Sequence, residues 1–364
     1  MMRILFDHSA FVEWRYGGVS RYFSELIPRV AQKTPVELFM GLHINRYGLD
    51  RHRQAMARFA GCRRPFIRKT HRAAMFLSNQ WFQRFTRRSH ADIYHTTYEA
   101  MLWPDFRGRR VITIHDLTPE KFPQFFACSS ASLAHKRTLA QRADGIICVS
   151  ENTRRDVIEL LNVPPEKTCV VYHGNCLNMQ VTEPRAVVEP YLLYVGMRRG
   201  YKNFIRLVEA YASDPRIHRE FSLICFGGGS LTPDEVQRIQ SLGVAGRIRQ
   251  FGGPDTLLAN LYTHATAFIY PSLYEGFGIP LLEAMHYNCP IIASRASCFP
   301  EIAGDAAVYF DPDNTDDIVR QIVTVIGDGP KRAEMVEMGR IQGTKYSWDR
   351  CAAETVNYYR VLLS

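Results

Sequence analysis

Short apolar runs alternate along the chain with longer segments in which apolar residues return every three to four positions. The first run, Arg3–Ser9, is strand-like, and a glycine turn at Gly17-Gly18 follows it. Val19–Val30 then sets Val19, Tyr22, Phe23, Leu26, Ile27 and Val30 on one face, the spacing of an amphipathic helix. Further strands are predicted at Val36–Leu42, Ile93–Thr97, Val111–Asp116, Gly145–Ser150 and Cys169–His173. A helix through Arg154–Leu161 has Ser150 or Asn152 as its cap. The period is lost over residues 176–190 and then resumes, with strands at Tyr191–Val195, Ser222–Phe226, Ile248–Phe251, Ala267–Tyr270 and Pro290–Ser294. Three helical segments, roughly 314–327, 330–345 and 347–363, follow. Alternation at this spacing predicts βαβ units in parallel sheets, and the restart predicts two such α/β domains, residues 1–180 and 181–346. Open parallel sheets bind ligands outside the carboxyl ends of their strands, so two that face each other would leave a cleft lined by strand-end loops.

Composition fits this picture. The 364 residues are 46% hydrophobic and 22% charged, a folded chain of two domains rather than a disordered one. No apolar run reaches the ~18 residues of a membrane span. Asp7 comes too early for a signal peptide. Nine cysteines, an odd number without a CxxC pair, are expected as reduced thiols in a cytosolic protein, with neither a zinc site nor a disulfide framework. The net charge of +9 is uneven: residues 1–180 hold 27 Lys/Arg against 15 Asp/Glu, and residues 181–364 hold 18 against 21. Residues 51–90 contain 11 basic residues and no acid. There Arg51, Arg53, Arg58, Arg63, Arg64, Arg68, Lys69, Arg72, Arg84, Arg87 and Arg88 interleave with Phe59, Phe66, Phe76, Trp81, Phe82 and Phe85. Three readings compete: an interfacial region touching an anionic membrane, an ordinary solvated face over core aromatics, and nucleic-acid binding. No recognised nucleic-acid module accompanies the charge, and the first reading is preferred.

The densest chemistry is Pro271–Met285. Glu275 stands with Gly276 and Gly278 after a strand, Pro280 suits a first helical turn, and Glu283 lies one turn inside that helix. Glycines admit backbone N–H groups close to a ligand and the helix start adds positive charge, which together suit phosphate oxygens. The carboxylates suit paired sugar hydroxyls; the bland alternative is a capped helix with a surface acid. A second cluster, Arg198, Arg199 and Lys202, follows Gly196 and suits a diphosphate, unless it is only a solvated basic loop. His115-Asp116 ends another strand and could bond a substrate hydroxyl or be structural. Gly17-Gly18 and Gly227-Gly228-Gly229 also follow strands, each weak alone. Neither a Walker A loop nor a GxGxxG opening a helix after a strand occurs, which counts against P-loop, nicotinamide and flavin enzymes.

These residues together resemble the retaining glycosyltransferases of family 4, which have the GT-B fold. Glu275-Gly276-Phe277-Gly278-Ile279-Pro280-Leu281-Leu282-Glu283 is similar to that family's E-x7-E motif. The segments GGVSRY, IHDL, VSENTRRD and FPEIAGDAAVYFDP stand in the expected order over nearly the whole chain. The resemblance implies two Rossmann-like domains facing a cleft, with the last helix, 347–364, returning to the first. It places Glu283 on the donor's ribose, Glu275 on the sugar's hydroxyls, and Arg198 and Lys202 on the diphosphate. Gly17 and Gly18 approach that diphosphate from the other domain, and His115 touches the sugar. Many members carry Arg directly after the strand-ending glycine, where this chain has Met197; Arg198 is taken for the role over Arg199. The segment VG-x-R-x-x-YKNF resembles a subgroup of bacterial surface-polysaccharide enzymes that often use GDP-mannose.

The expected chemistry is metal-independent hexosyl transfer with retention and no cofactor beyond the donor substrate. Asp311-Pro312-Asp313 matches a metal-binding DxD only in letters. The expected acceptor is a polyprenyl-diphosphate-linked or lipopolysaccharide glycan, reached from the inner face of the cytoplasmic membrane. Rivals are a UDP-sugar donor, a sugar-nucleotide epimerase or phosphorylase of the same fold, and a non-catalytic binding scaffold.

Overall fold

A computed structural model describes residues 1–67, 70–98, 105–126 and 130–364. Arg68 and Lys69 of the basic stretch, and Cys128, lie outside the described residues. The chain forms two compact units. The first comprises Met1–Glu120, Cys128–Gly174 and Ser347–Ser364; the second comprises Lys121–Ala127 and Asn175–Tyr346. The change of unit thus falls at Gly174, ahead of the 180 read from the loss of period.

Among the described residues the first unit has strands β1 (Ile4–Phe6), β2 (Val36–His43), β3 (Arg58–Arg63), β4 (Ile93–Thr96), β5 (Arg109–Ile114), β6 (Gly145–Cys148) and β7 (Thr168–Val170). Their order is β3-β2-β1-β4-β5-β6-β7, with every pairing parallel. The second unit has β8 (Tyr191–Val195), β9 (Ser222–Phe226), β10 (Ile248–Phe251), β11 (Ala267–Tyr270), β12 (Ile291–Ser294) and β13 (Ala307–Phe310). Their order is β10-β9-β8-β11-β12-β13, again all parallel. In each sheet the order of strand addition reverses once, between β1 and β4 and between β8 and β11. Such a switch point opens a crevice at the strands' carboxyl ends. The doubly wound α/β class expected from the sequence is the class observed, twice.

Local sequence explains most boundaries. The Gly18–Ala31 helix buries Tyr22, Phe23, Leu26, Ile27 and Val30 along one face. The Glu151–Leu161 helix starts at Ser150, whose hydroxyl accepts the N–H of Thr153 at 3.0 Å. The expected strand Arg3–Ser9 is cut short at Phe6. Buried Asp7 turns the chain there by accepting the N–H groups of Ser9 (3.0 Å) and Thr97 (3.1 Å). The edge strands β3 and β13 were not expected. In the second unit Leu192, Tyr194, Phe204, Leu207, Tyr211, Leu223, Ile269 and Ile292 share one core, which fixes the carboxyl ends of β8, β9 and β11 relative to each other. In the first unit the Trp348–Leu363 helix joins the core: Tyr358 Oη accepts the N–H of Ile146 (3.2 Å) and donates to Lys167 O (2.6 Å).

Candidate active site

Two loops meet at the second unit's switch point. β8 ends at Val195, Gly196 turns the chain, and the Gly200–Lys202 turn delivers Lys202. β11 ends at Tyr270 and the following loop delivers Glu275. Lys202 Nζ donates to Glu275 Oε1 at 2.6 Å, and Leu273 N–H donates to Tyr201 O at 2.8 Å, so the two loops are tied side chain to side chain and backbone to backbone. The ion pair is only 14% exposed on either side, dry enough for its charge to be felt. Ser272 Oγ also donates to Glu275 Oε1, at 2.8 Å. The Glu275 carbonyl accepts from the Ser297 hydroxyl and from Cys298 Sγ. The carboxylate of Glu275 is therefore held by Lys202 and by Ser272, both within segments singled out from the sequence. Its backbone is held by Ser297 and Cys298, which lie 22 and 23 positions away and which sequence reasoning missed because they carry no signal of their own.

Gly278 caps the Ile279–His286 helix in the left-handed region, φ +87°, with no side-chain cap bond. A Cβ there would lie 3.2 Å from Leu281 and 3.3 Å from Phe299, so the left-handed backbone favours glycine and any side chain would need both neighbours to give way. Gly276 and Phe277 lead into this turn, and Phe277 is buried with its ring 5.9 Å from Tyr346. Glu283 is buried on the helix, where Tyr262 Oη donates to its Oε2 at 3.2 Å. Burial first, and the Glu283 charge second, push the Tyr262 phenol well above its ordinary range. The letters Asp311-Pro312-Asp313 serve local structure: Asp311 N–H donates to Asp317 Oδ2 at 2.8 Å, Asp311 Oδ1 accepts the N–H of Asp313 at 2.9 Å, and Asn203 Nδ2 donates to Pro312 O at 2.8 Å.

Arg198, expected on the diphosphate, is buried among acceptors of its own unit. Its side chain is 2% exposed and its guanidinium is committed within the unit. Nε donates to Glu235 Oε1 (3.2 Å) and Nη1 to Gly227 O (2.8 Å). Nη2 donates to the carbonyls of Gly228 (3.4 Å), Gly229 (2.9 Å) and Ser230 (2.9 Å). The guanidinium is thus engaged by a carboxylate and four carbonyls of its own unit, and freeing it for a diphosphate would leave buried acceptors unsatisfied. Arg199 is exposed on the same loop.

In the first unit Gly17 and Gly18 begin the Gly18–Ala31 helix, and Gly17 N–H donates to Tyr47 Oη at 3.1 Å. A Cβ on Gly18 would meet nothing within 4 Å, so the protein's own packing does not demand glycine there. His115 follows β5, its ring edge-on to Tyr22 at 4.9 Å and 5.8 Å from His173. Burial pushes its pKa down to about 4, with Asp116 opposing, so it is a neutral imidazole at pH 7.

The model for Glycosyltransferase Family 4 matches residues 16–175, and that for Glycosyl transferases group 1 matches residues 181–342. Between them they span both units. The chain is a family 4 glycosyltransferase. It is 28% identical over 391 aligned positions to the O-antigen chain mannosyltransferase B of Escherichia coli, covering 99% of this chain and all of the relative. It is 26% identical over 300 positions to the serotype-specific mannosyltransferase WbdA of E. coli, covering 75% of this chain but 36% of that longer protein. Among solved structures, sucrose-phosphate synthase of Thermosynechococcus elongatus shares the fold with a TM-score of 0.78 at 20% identity, over 100% of this chain and 99% of that one. HepE of Anabaena, solved with UDP, does so at 0.74 and 20%, over 99% and 100%. The fold is GT-B, as the resemblance implied.

In this family 4 enzyme the basic segment divides. Phe82 and Phe85 are core, packed with Leu5, Phe39 and Tyr94, and Trp81 lies against that core. Arg58 bonds Phe85 O at 2.8 Å while stacking on its ring, and Arg64 bonds Leu42 O at 3.1 Å. Phe66, Ile67, Phe76 and Leu77 are exposed, as are Arg72, Arg84, Arg87 and Arg88. The solvated-face reading therefore accounts for Trp81, Phe82 and Phe85 and not for Phe66 and Phe76.

Proposed function

We propose that the chain transfers a hexose, with retention and without a metal, from a nucleotide sugar to a lipid-linked or lipopolysaccharide glycan of the cell surface. The Lys202–Glu275 pair at the switch point carries this reading, and the full-length likeness to an O-antigen mannosyltransferase supports GDP-mannose as donor. Glu275 receives the sugar hydroxyls, Glu283 the ribose hydroxyls, and Lys202 with the amides opening the Ile279–His286 helix the diphosphate. Gly17 and Gly18 are assigned to the diphosphate and His115 to the sugar. The acceptor hydroxyl attacks the anomeric carbon on the face the diphosphate leaves. The C1–O bond to phosphate breaks, and the departing phosphate oxygen takes the acceptor's proton. Each charged or amide donor aimed at that oxygen is worth ~3–4 kcal/mol in the transition state.

A thermal-shift panel of GDP-mannose, UDP-glucose, UDP-GlcNAc and UDP-galactose tests the donor. A bound donor at 100 times its Kd adds about 2.7 kcal/mol of stability. Stabilisation by GDP-mannose over the UDP-sugars is expected, and the reverse order would move the donor class. Transfer that stops in EDTA would overturn metal independence. Gly18→Ala gives a sharper check. It should leave Tm unchanged or slightly raised, since its Cβ meets no protein atom, yet reduce transfer about tenfold by crowding a phosphate contact. Full activity in that variant would remove Gly18 from the site.

Exposed Phe66, Ile67, Phe76 and Leu77 beside exposed arginines support docking on the anionic inner face of the cytoplasmic membrane, where each nearby basic side chain contributes ~1 kcal/mol. Flotation with anionic vesicles should fall in high salt and be lost in a Phe76→Ser/Leu77→Ser variant whose Tm is unchanged. Equal flotation of that variant would return the segment to an ordinary surface.

A further inference from the structure

The three-glycine loop after β9 has no part in the assignment above, and Arg198 is turned in among its carbonyls; together they define a site. Gly227, Gly228 and Gly229 all lie in the left-handed region, at φ +88°, +71° and +72°. Their carbonyls and that of Ser230 converge on one guanidinium. In a planar trans peptide the C=O and the following N–H point in opposite directions. Four carbonyls turned in toward Arg198 therefore turn the N–H groups of Gly228, Gly229, Ser230 and Leu231 outward. None of these four donates to a protein acceptor among the described residues. Four peptide dipoles then present their positive ends along an exposed loop, an anion-binding arrangement. The loop is locked in this form. Gly227 N–H donates to Phe251 O at 2.9 Å and Gly196 N–H to Phe226 O at 2.9 Å, so the carboxyl ends of β8, β9 and β10 are laced together. A Cβ at Gly228 would lie 2.8 Å from Arg198 Nη1 and 3.0 Å from Gly196 O. Glu235 neutralises the guanidinium while its other oxygen accepts the N–H of Thr232 at 2.7 Å, anchoring Arg198 to the next helix.

We propose that the Gly228–Leu231 amides bind a phosphate group of the donor and that Arg198 is a positioning residue acting through them. This rests on the nucleotide-sugar reading of the second unit. The test is a titration of the whole chain, 15N-labelled at glycine, with GDP and UDP, and separately with guanosine and uridine. A diphosphate should move the Gly228 and Gly229 amide resonances and a nucleoside should not. Arg198→Lys, whose single ammonium replaces a five-donor fork, should raise the Kd for the preferred diphosphate about tenfold or more. It should leave nucleoside shifts elsewhere unchanged. Movement of Gly196, Gly276 or Gly278 with Gly228 and Gly229 still would overturn the proposal and leave the donor reading standing. No response of any glycine to either diphosphate would overturn both. The wild-type titration decides the matter even where an Arg198 variant fails to fold.

Discussion

Lys202→Ala is expected to lower sugar transfer by about 10²–10³-fold, and Glu275→Ala by a similar factor, while both chains fold. The two side chains share a 2.6 Å bond and are each 14% exposed, so removing either leaves a poorly hydrated charge behind. That costs stability of roughly 1–3 kcal/mol, read as a shift in the urea midpoint. The core beneath, around Tyr194, Leu223 and Ile269, is untouched. The double variant separates two meanings of the pair. If the single variants suffer only from the charge they strand, deleting both partners should return stability and activity toward the parent. If each group meets the donor, the double variant recovers stability but stays at least as inactive as either single change. We expect the second result, followed by release of nucleoside diphosphate. Near-parental activity in either alanine variant would end the assignment.

How far such a site is legible in sequence depends on which interactions build it. Tyr191–Val195, Ser222–Phe226 and Ala267–Tyr270 have the bounds expected of them, because a strand covered on both faces reads as an unbroken apolar run, and the edge strand Ile248–Phe251 also has its expected bounds although Arg249 and Gln250 interrupt its apolar ends. Arg58–Arg63 was invisible because an edge strand is under the opposite pressure: arginine at both ends and a glycine inside blunt the edge and erase alternation. The residue types of the site were legible, since a glycine-flanked carboxylate and a cation after a strand have few other uses together. Their partners were not. Lys202 meets Glu275 across 73 positions, and Arg198 bonds carbonyls 29 to 32 positions on. Backbone carbonyls leave no letter in a sequence, so a guanidinium buried among them looks the same as one waiting for a phosphate.

Acidification from pH 7 to 5 is expected to destabilise the first unit steeply through imidazoles rather than carboxylates alone. Burial pushes the His95 pKa down to about 3, with His115 adding to the effect, and that of His115 down to about 4. Burial, and then the His115 charge, hold His173 well below the ordinary histidine range. His8 and His43 are lowered too, burial again first. In the unfolded chain each titrates near 6.5. Below that pH the unfolded state binds protons that the folded state refuses, so stability rises with pH in this window. Each histidine's contribution is whole above about 6.5 and is lost as pH falls through its folded pKa. Each withheld proton contributes up to about 1.4 kcal/mol per pH unit. His95 offers the clean test, because its ring is held between Tyr359 Oη at 2.5 Å and Thr113 Oγ1 at 2.8 Å. His95→Gln keeps a donor and an acceptor there and removes the titration, so its stability should fall less steeply between pH 6.5 and 5, by about one proton. Parallel slopes for the two chains would mean that water reaches the imidazole and that the cluster is not the dry interior its contacts describe. The same dryness keeps the neighbouring His115 neutral at pH 7.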